Sequence, residues 1–239
     1  IDHCIRKAVS LGLNNVDAII MATLNACEIY GMKNKGAIAP SYVADIVVAD
    51  DLNLSSISQV YKNGKLVCEN GKALFECETV DNSKVTNTVH LPKISADFFK
   101  TDVKDKFDAI ELIPESIITK KVTVSYSDSL SKVCVIERHH NLGTKGIGFV
   151  TNYGITNGAI ATSIGHDSHN VIVIGDNDSD MALAVNTLGT SGGIAVCSEG
   201  KVIASMTLDI AGLMSVKSAD EVTREHDNLY SAAKVLNIT

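Results

Sequence analysis

The sequence predicts an α+β fold in which short, mostly antiparallel strands outnumber the helices. Short apolar runs alternate with Gly, Asn and Asp between residues 121 and 206, which is typical of strands joined by tight turns. Helical patterns are confined to residues 1–30, 180–188 and 220–236. The spacing of these elements shows no repeat of 20–50 residues, which excludes a solenoid or propeller.

Two helices are predicted before residue 31. Residues 1–11 place apolar side chains at helical spacing, and a second helix is predicted from Val16 to Tyr30. Asn14 or Asn15 can cap the second helix, because a short amide side chain accepts from the free N–H groups of the first turn. Gly31 can adopt the left-handed conformation that ends it.

A β-meander is predicted after these helices. Residues 45–50 form a short β-branched run bounded by two aspartates, and residues 57–67 form the next two strands. Asn-Gly pairs stand at 63–64 and 70–71, and Asn-Gly suits the type I′ turn because both central residues need a positive φ. The sequence therefore predicts tight hairpins at both places.

A second, larger domain is predicted from residue 85 onward. Residues 79–88 have the composition of a linker, and residues 76–120 as a whole are polar and irregular. Strands are predicted at 122–125, 133–137, 146–151, 159–164, 171–174, 194–197 and 202–206, and helices at 180–188 and 220–236.

Composition excludes several classes of protein. The 239 residues are 45% apolar, which indicates a folded globular chain, and no apolar run is long enough to cross a bilayer. A net charge of −7 argues against a nucleic-acid partner, which would require a basic face. The six cysteines are scattered and form no Cys-x-x-Cys, so reduced thiols in a cytoplasmic protein are expected.

The candidate site lies in the polar segment before the apolar run at 171–174. It comprises His166, Asp167, His169 and Asn170. In a strand, residues three apart face opposite sides, so the two histidines would not chelate one metal ion, whereas Asp167 and His169 would share a face. The segment is predicted to lie at the start of a strand or in the turn before it. Either a functional site or a set of polar residues satisfying a buried turn accounts for it.

Two further polar clusters have less specific interpretations. Residues 176–180 resemble the start of a calcium loop, but Met181 stands where that loop needs Gly and Thr187 where it needs Glu. A helix N-terminus capped by Asp178 or Ser179 is therefore preferred. The run Glu-Arg-His-His at 137–140 follows an apolar strand and is interpreted as a surface patch in which at most one histidine is buried.

Several stretches together resemble one family. Residues 21–50 are similar to the junction at which metal-dependent amidohydrolases leave their catalytic barrel and enter a small β-sandwich. Residues 136–140, 165–175, 177–181 and 211–215 are similar to the C-terminal domain of bacterial adenine deaminases. The resemblance implies the end of a (β/α)₈ barrel at 1–34, a β-sandwich segment at 35–84 and the C-terminal domain at 85–239. Ser41 departs from the pattern, since the junction often has Gly there.

The resemblance also implies a reaction. Adenine deaminases convert adenine and water to hypoxanthine and ammonia in purine salvage, using iron or manganese held in the barrel. The metal ligands of the family are expected before Ile1, so no residue of this chain is assigned as a metal ligand or catalytic residue. We therefore expect the chain to need the missing barrel segment of the same protein, to be inactive alone, and to form a homo-oligomer.

The role of the larger domain is left open by the sequence. The segment containing His166, Asp167, His169 and Asn170 could close over the substrate and exclude water. Alternatively, the domain could be structural, covering sheet edges and forming an oligomer interface, or its histidines could hold a separate metal. For the protein as a whole, the alternative is another amidohydrolase of cyclic amides.

Overall fold

The computed structural model describes residues 1–78, 80–102, 105–127 and 130–238. The chain divides into two compact units, Ile1–Val80 and Asp81–Thr239. Thr79, the first residue of the predicted linker, lies outside the described residues.

The helices of the first unit follow one another closely. Asn14 caps the second of them, because its side chain accepts from the N–H groups of Val16 and Asp17. Gly31 ends the run with a φ of 66°. Both features confirm the prediction, but a π-helical turn interrupts the predicted helix. The elements are α1 (Asp2–Ser10), α2 (Asn15–Ile20), the π-helical turn Met21–Asn25 and α3 (Ala26–Ile29).

The strands of the first unit form the predicted meander. They are β1 (Ile46–Ala49), β2 (Ile57–Lys62), β3 (Lys65–Glu69) and β4 (Lys72–Ala73), paired antiparallel in chain order. Asn63 and Gly64 have φ values of 52° and 76°, and Asn70 and Gly71 have 49° and 76°. Both turns therefore have the two positive φ values of a type I′ turn, as predicted.

The second unit is built on an eight-stranded sheet. Its strands are β5 (Phe107–Leu112), β6 (Thr119–Val124), β7 (Ser131–Ile136), β8 (Lys145–Thr151), β9 (Gly158–Thr162), β10 (Val171–Gly175), β11 (Gly193–Ser198) and β12 (Lys201–Thr207). The order across the sheet is β12-β11-β9-β10-β7-β8-β5-β6. Among the described strands only β5 and β8 pair in parallel. The predicted α+β class is confirmed.

The irregular character predicted for residues 76–120 is wrong for part of that stretch. It contains β5 and a 3₁₀ turn at Ala96–Phe99. The β5 residues alternate in burial, and Ala109 points into the core. β5 pairs antiparallel with the next strand, β6, and in parallel with β8. Its sequence contains a single β-branched residue, Ile110, so no β-branched run marks it as a strand.

Two helices complete the second unit. α4 (Asp178–Thr187) buries Met181 and Val185 against strand residues such as Val173 in the main core. α5 (Ala219–Val235) packs Leu229 and Ala232 into a second apolar cluster. None of the described helices combines the length and apolarity needed to cross a membrane.

Strand pairing brings two loops to one end of the sheet. β7 and β10 are antiparallel, and Ile136 at the end of β7 pairs with Val171 at the start of β10. The loop after β7 and the loop before β10 therefore meet. We call residues 137–144 the Glu137 loop and residues 163–170 the His166 loop.

Candidate functional site

The Glu137 loop and the His166 loop are joined by a histidine hydrogen bond. The Nε2 atom of His139 lies 3.0 Å from the carbonyl oxygen of Ser168. A carbonyl oxygen can only accept, so this ring nitrogen carries the proton and donates. Two polar clusters that the sequence presents separately are thus one site.

The His166 loop is a turn between β9 and β10, as predicted. The amide N–H of His169 donates to the carbonyl oxygen of Gly165 at 2.6 Å, which closes the turn. Asp167 and His169 have φ values of 71° and 50°, so two non-glycine residues adopt the left-handed conformation. Such conformations cost free energy and persist where surrounding contacts fix the backbone.

The four predicted site residues are presented differently from one another. His166 and Asp167 are 96% and 89% exposed, and His166 Nδ1 lies 3.0 Å from Asp167 Oδ1. His169 and Asn170 are half-buried. The predicted pairing of Asp167 with His169 on one face is wrong, because a turn with two left-handed residues does not alternate its side chains as a strand does.

Glu137 organises the other loop. Its carboxylate accepts from the N–H groups of His139, His140 and Leu142 at 2.5, 2.8 and 3.0 Å. These bonds, with that of Leu142 contributing most, hold the pKa of the Glu137 carboxyl below its ordinary value. Both histidines of this loop are exposed, which agrees with the prediction that at most one is buried.

Arg138 contradicts the surface interpretation of residues 137–140. Its side chain is only 2% exposed, and burial holds the pKa of its guanidinium below the ordinary value. A signal was present in the sequence: Arg138 stands two and four residues after Ile136 and Cys134, so it continues the inward-facing positions of β7. The guanidinium contacts the backbone of the His166 loop, as its Nε donates to the carbonyl oxygen of His169.

The acidic cluster at 176–180 is structural and lies at the opposite end of β10. Asn177 caps α4 by accepting from the Asp180 N–H at 2.8 Å, so the predicted cap at Asp178 or Ser179 is wrong. Asp178 instead forms an ion pair with Lys132. Asn, Asp and Ser cap helices about equally well, so the sequence alone could not show which of three adjacent residues is the cap.

The described part of the chain contains no cluster of candidate metal ligands. Within residues 1–78, 80–102, 105–127 and 130–238, no three His, Cys, Asp or Glu side chains stand close enough together to hold a metal ion. The residues present therefore do not fit the iron or manganese that the resemblance implies.

Two parts of the chain match known protein families. Residues 2–68 match the amidohydrolase family. Residues 111–239, more than half of the chain, match the family described as Adenine deaminase C-terminal domain. The chain belongs to this family.

Curated relatives extend the similarity over nearly the whole chain. An adenine deaminase of Clostridium acetobutylicum is 41% identical over 99% of this chain. Those of Halalkalibacterium halodurans and Dehalococcoides mccartyi are 38% and 37% identical over 99% and 96%. The match covers 43%, 43% and 42% of the respective relatives, so the chain spans less than half of their length.

Proposed function

We propose that this chain acts as the C-terminal part of an adenine deaminase. The reaction adds water at C6 of adenine, breaks the bond from C6 to the exocyclic nitrogen and releases ammonia and hypoxanthine. The observation that carries the proposal is the match of residues 111–239 to the adenine deaminase C-terminal domain. The matched region contains both loops of the candidate site.

A chimera tests this proposal. The segment of the Clostridium acetobutylicum adenine deaminase that matches this chain would be replaced by the 239 residues. We expect the chimera to release hypoxanthine and ammonia from adenine, whereas the 239-residue chain alone does not. A folded chimera without activity, measured beside the active parent, would refute the proposal.

We also propose that the first unit completes a barrel. In its described residues only Ile5 and Ala18 are buried apolar side chains, too few for an independent core. A groove of about 800 Å³ is lined largely by apolar side chains, including Ile19, Ile46 and Ile57. These features support residues 1–34 as the end of a (β/α)₈ barrel and 35–84 as a β-sandwich segment.

The partner of that groove can be tested directly. The part of the Clostridium acetobutylicum protein outside the match would be co-expressed with this chain. Stable co-purification is expected, and Ile19→Lys should abolish it while the exposed Ile117→Lys should not. Metal analysis of the co-purified complex would test iron or manganese, for which the described residues offer no ligand set.

Within the enzyme, we propose that the His166 loop closes over the substrate. The exposed pair of His166 and Asp167 can reach outward, and closure would exclude water from the reacting centre. His166→Ala and His169→Ala in the chimera should lower kcat/KM about tenfold or more, whereas the exposed His226→Ala should not. Unchanged kcat and KM in both loop variants would reject this role and leave the deaminase proposal standing.

A structural role is the second candidate, and one observation favours it. β12 is an edge of the larger sheet, and its Val202 and Ile203 are 43% and 40% exposed. We propose a homo-oligomer in which β12 edges from two copies pair. Light scattering should show a dimer or larger species that Ile203→Lys reduces, while Val135→Lys on interior strand β7 leaves it intact.

We propose a cytoplasmic location and a place in purine salvage. All six cysteines are among the described residues and are free thiols, which is usual in a reducing compartment. Burial raises the pKa of the Cys134 and Cys197 thiols to about 11, so both are core side chains and not nucleophiles.

A further inference from the structure

Arg138 reaches from the end of β7 to two other segments of the second unit. Its Nε donates to the carbonyl oxygen of His169 in the His166 loop, and its Nη2 donates to that of Ala211 at 2.9 Å. A guanidinium can do this because its donors are fixed in a planar fork. One side chain therefore joins three segments that are distant in the sequence.

The segment around Gly212 is shaped to admit the guanidinium. A Cβ atom at Gly212 would lie 2.5 Å from Arg138 Nη1, closer than non-bonded atoms can approach, and its φ is +69°. Ser163 fixes the same segment, since its hydroxyl donates to the Gly212 carbonyl at 2.5 Å and accepts from the Gly193 N–H at 2.8 Å. The arginine thus occupies a built site.

Arg138 is an unusual residue to bury at this position, because its charge is not paired with a carboxylate of any described residue. Its side chain is 2% exposed and donates to two backbone carbonyl oxygens, and a buried cation without a counter-ion is costly. Six buried side-chain polar atoms in the described residues lack a partner, and three of them are Arg138 Nη1, His169 Nδ1 and Asn170 Oδ1. An apolar side chain of similar volume would leave the carbonyl oxygens of His169 and Ala211 without this donor.

We infer that Arg138 is a positioning residue for the His166 loop. It fixes the carbonyl of His169, the residue whose left-handed backbone follows the exposed pair of His166 and Asp167. The loop thereby keeps one conformation and presents that pair in one place. The inference rests on the proposed function only for the catalytic consequence; the effect on the loop is a property of this chain.

Hydrogen–deuterium exchange of the 239-residue chain tests the effect on the loop. In Arg138→Met, peptides covering residues 163–170 and 208–214 should exchange about tenfold faster or more, while β10 stays protected. Arg138→Lys should be intermediate, because one ammonium does not reproduce the fork. The exposed Arg224→Met is the matched control and should match the wild type.

Two outcomes would overturn the inference. Loop exchange equal to the wild type in both Arg138 variants would show that the guanidinium does not hold the loop. Faster exchange throughout the sheet, including β10 and β11, would show that Arg138 stabilises the whole unit and not the loop. Arg138→Lys gives the readout if Arg138→Met does not fold.

The chimera adds a catalytic readout. Arg138→Met should lower kcat/KM about tenfold, and adding it to His166→Ala should cause little further loss, because both changes disable the same loop. Fully additive losses would contradict action through the loop. An inactive chimera would count against the proposed function, and the exchange experiment would still decide the role of Arg138.

Discussion

Asp180 is a buried residue whose two carboxylate oxygens both accept hydrogen bonds. It is 3% exposed, and its carboxylate accepts from the N–H groups of Glu199 and Gly200 at 3.1 and 2.8 Å and from the Asn177 side chain at 2.9 Å. Glu199 and Gly200 form the turn between β11 and β12, so Asp180 ties the start of α4 to that hairpin. Arg138, by contrast, is buried with its Nη1 atom unpaired.

Asp180→Asn should therefore destabilise the second unit. The amide would direct an NH₂ group at an N–H donor and lose charge-assisted bonds, which should lower the free energy of unfolding by about 2–3 kcal/mol. Urea denaturation followed by circular dichroism measures it, since the chain has no tryptophan. The exposed Asp227→Asn should change stability by less than about 0.5 kcal/mol, and an equal effect of both changes would contradict the assignment.

The hydrogen bonds to the Glu137 carboxylate predict how the Glu137 loop responds to pH. Its pKa in the folded chain lies below the ordinary value of 4.5, because three N–H groups bind the ionised form. The stabilisation is thus fully present above about pH 4.5 and is lost as the pH falls through the folded pKa. Amide shifts of His140 and Leu142 should titrate below pH 4.5 by NMR. Glu137→Gln should abolish that titration and Glu199→Gln should not. A titration midpoint above pH 4.5 would show that the pKa of Glu137 is raised and not lowered, and would refute the prediction.

At the scale of elements, local chemistry made most of the second unit predictable. Strands such as β8 and β10 were predicted within a residue of their bounds, because β-branched runs end at Gly and Asn. β5 was not, since it contains a single β-branched residue although it forms a hairpin with the next strand, β6. The same holds for the candidate site. The turn at 165–170 could be predicted from the local sequence, whereas the contact of Arg138 with Ala211 depends on tertiary structure alone.

The N-terminus of α5 gives a prediction at this scale. Ser218 and Glu221 form a reciprocal capping box, in which each side chain accepts from the other residue's backbone N–H. Ser218→Ala should lower the free energy of unfolding by about 1 kcal/mol in urea titrations. Ser231→Ala, within the same helix, should be neutral or slightly stabilising because alanine favours helices. An effect of the same sign and size at Ser231 would exclude capping as the cause.

At the scale of the whole molecule, apolar burial is divided unequally between the two units. The second unit has two clusters of buried apolar side chains, one beneath α4 and one beneath α5. The described part of the first unit buries only Ile5 and Ala18 and leaves large apolar residues such as Ile29 and Ile38 exposed by 80% and 86%. Since buried apolar area is the main source of stability, the two units should differ strongly in resistance to unfolding.

Limited proteolysis should reveal this difference. Brief digestion of the 239-residue chain should remove residues 1–80 first and leave a resistant fragment that begins near Asp81, identified by its intact mass. Digestion in urea is the control and should cleave both units. Adding the non-matching part of the Clostridium acetobutylicum protein should protect residues 1–80, because binding to the folded state stabilises it. Persistence of a fragment containing residues 1–80 in the isolated chain would refute the unequal stability, and with it the physical reason for expecting the first unit to need a barrel partner.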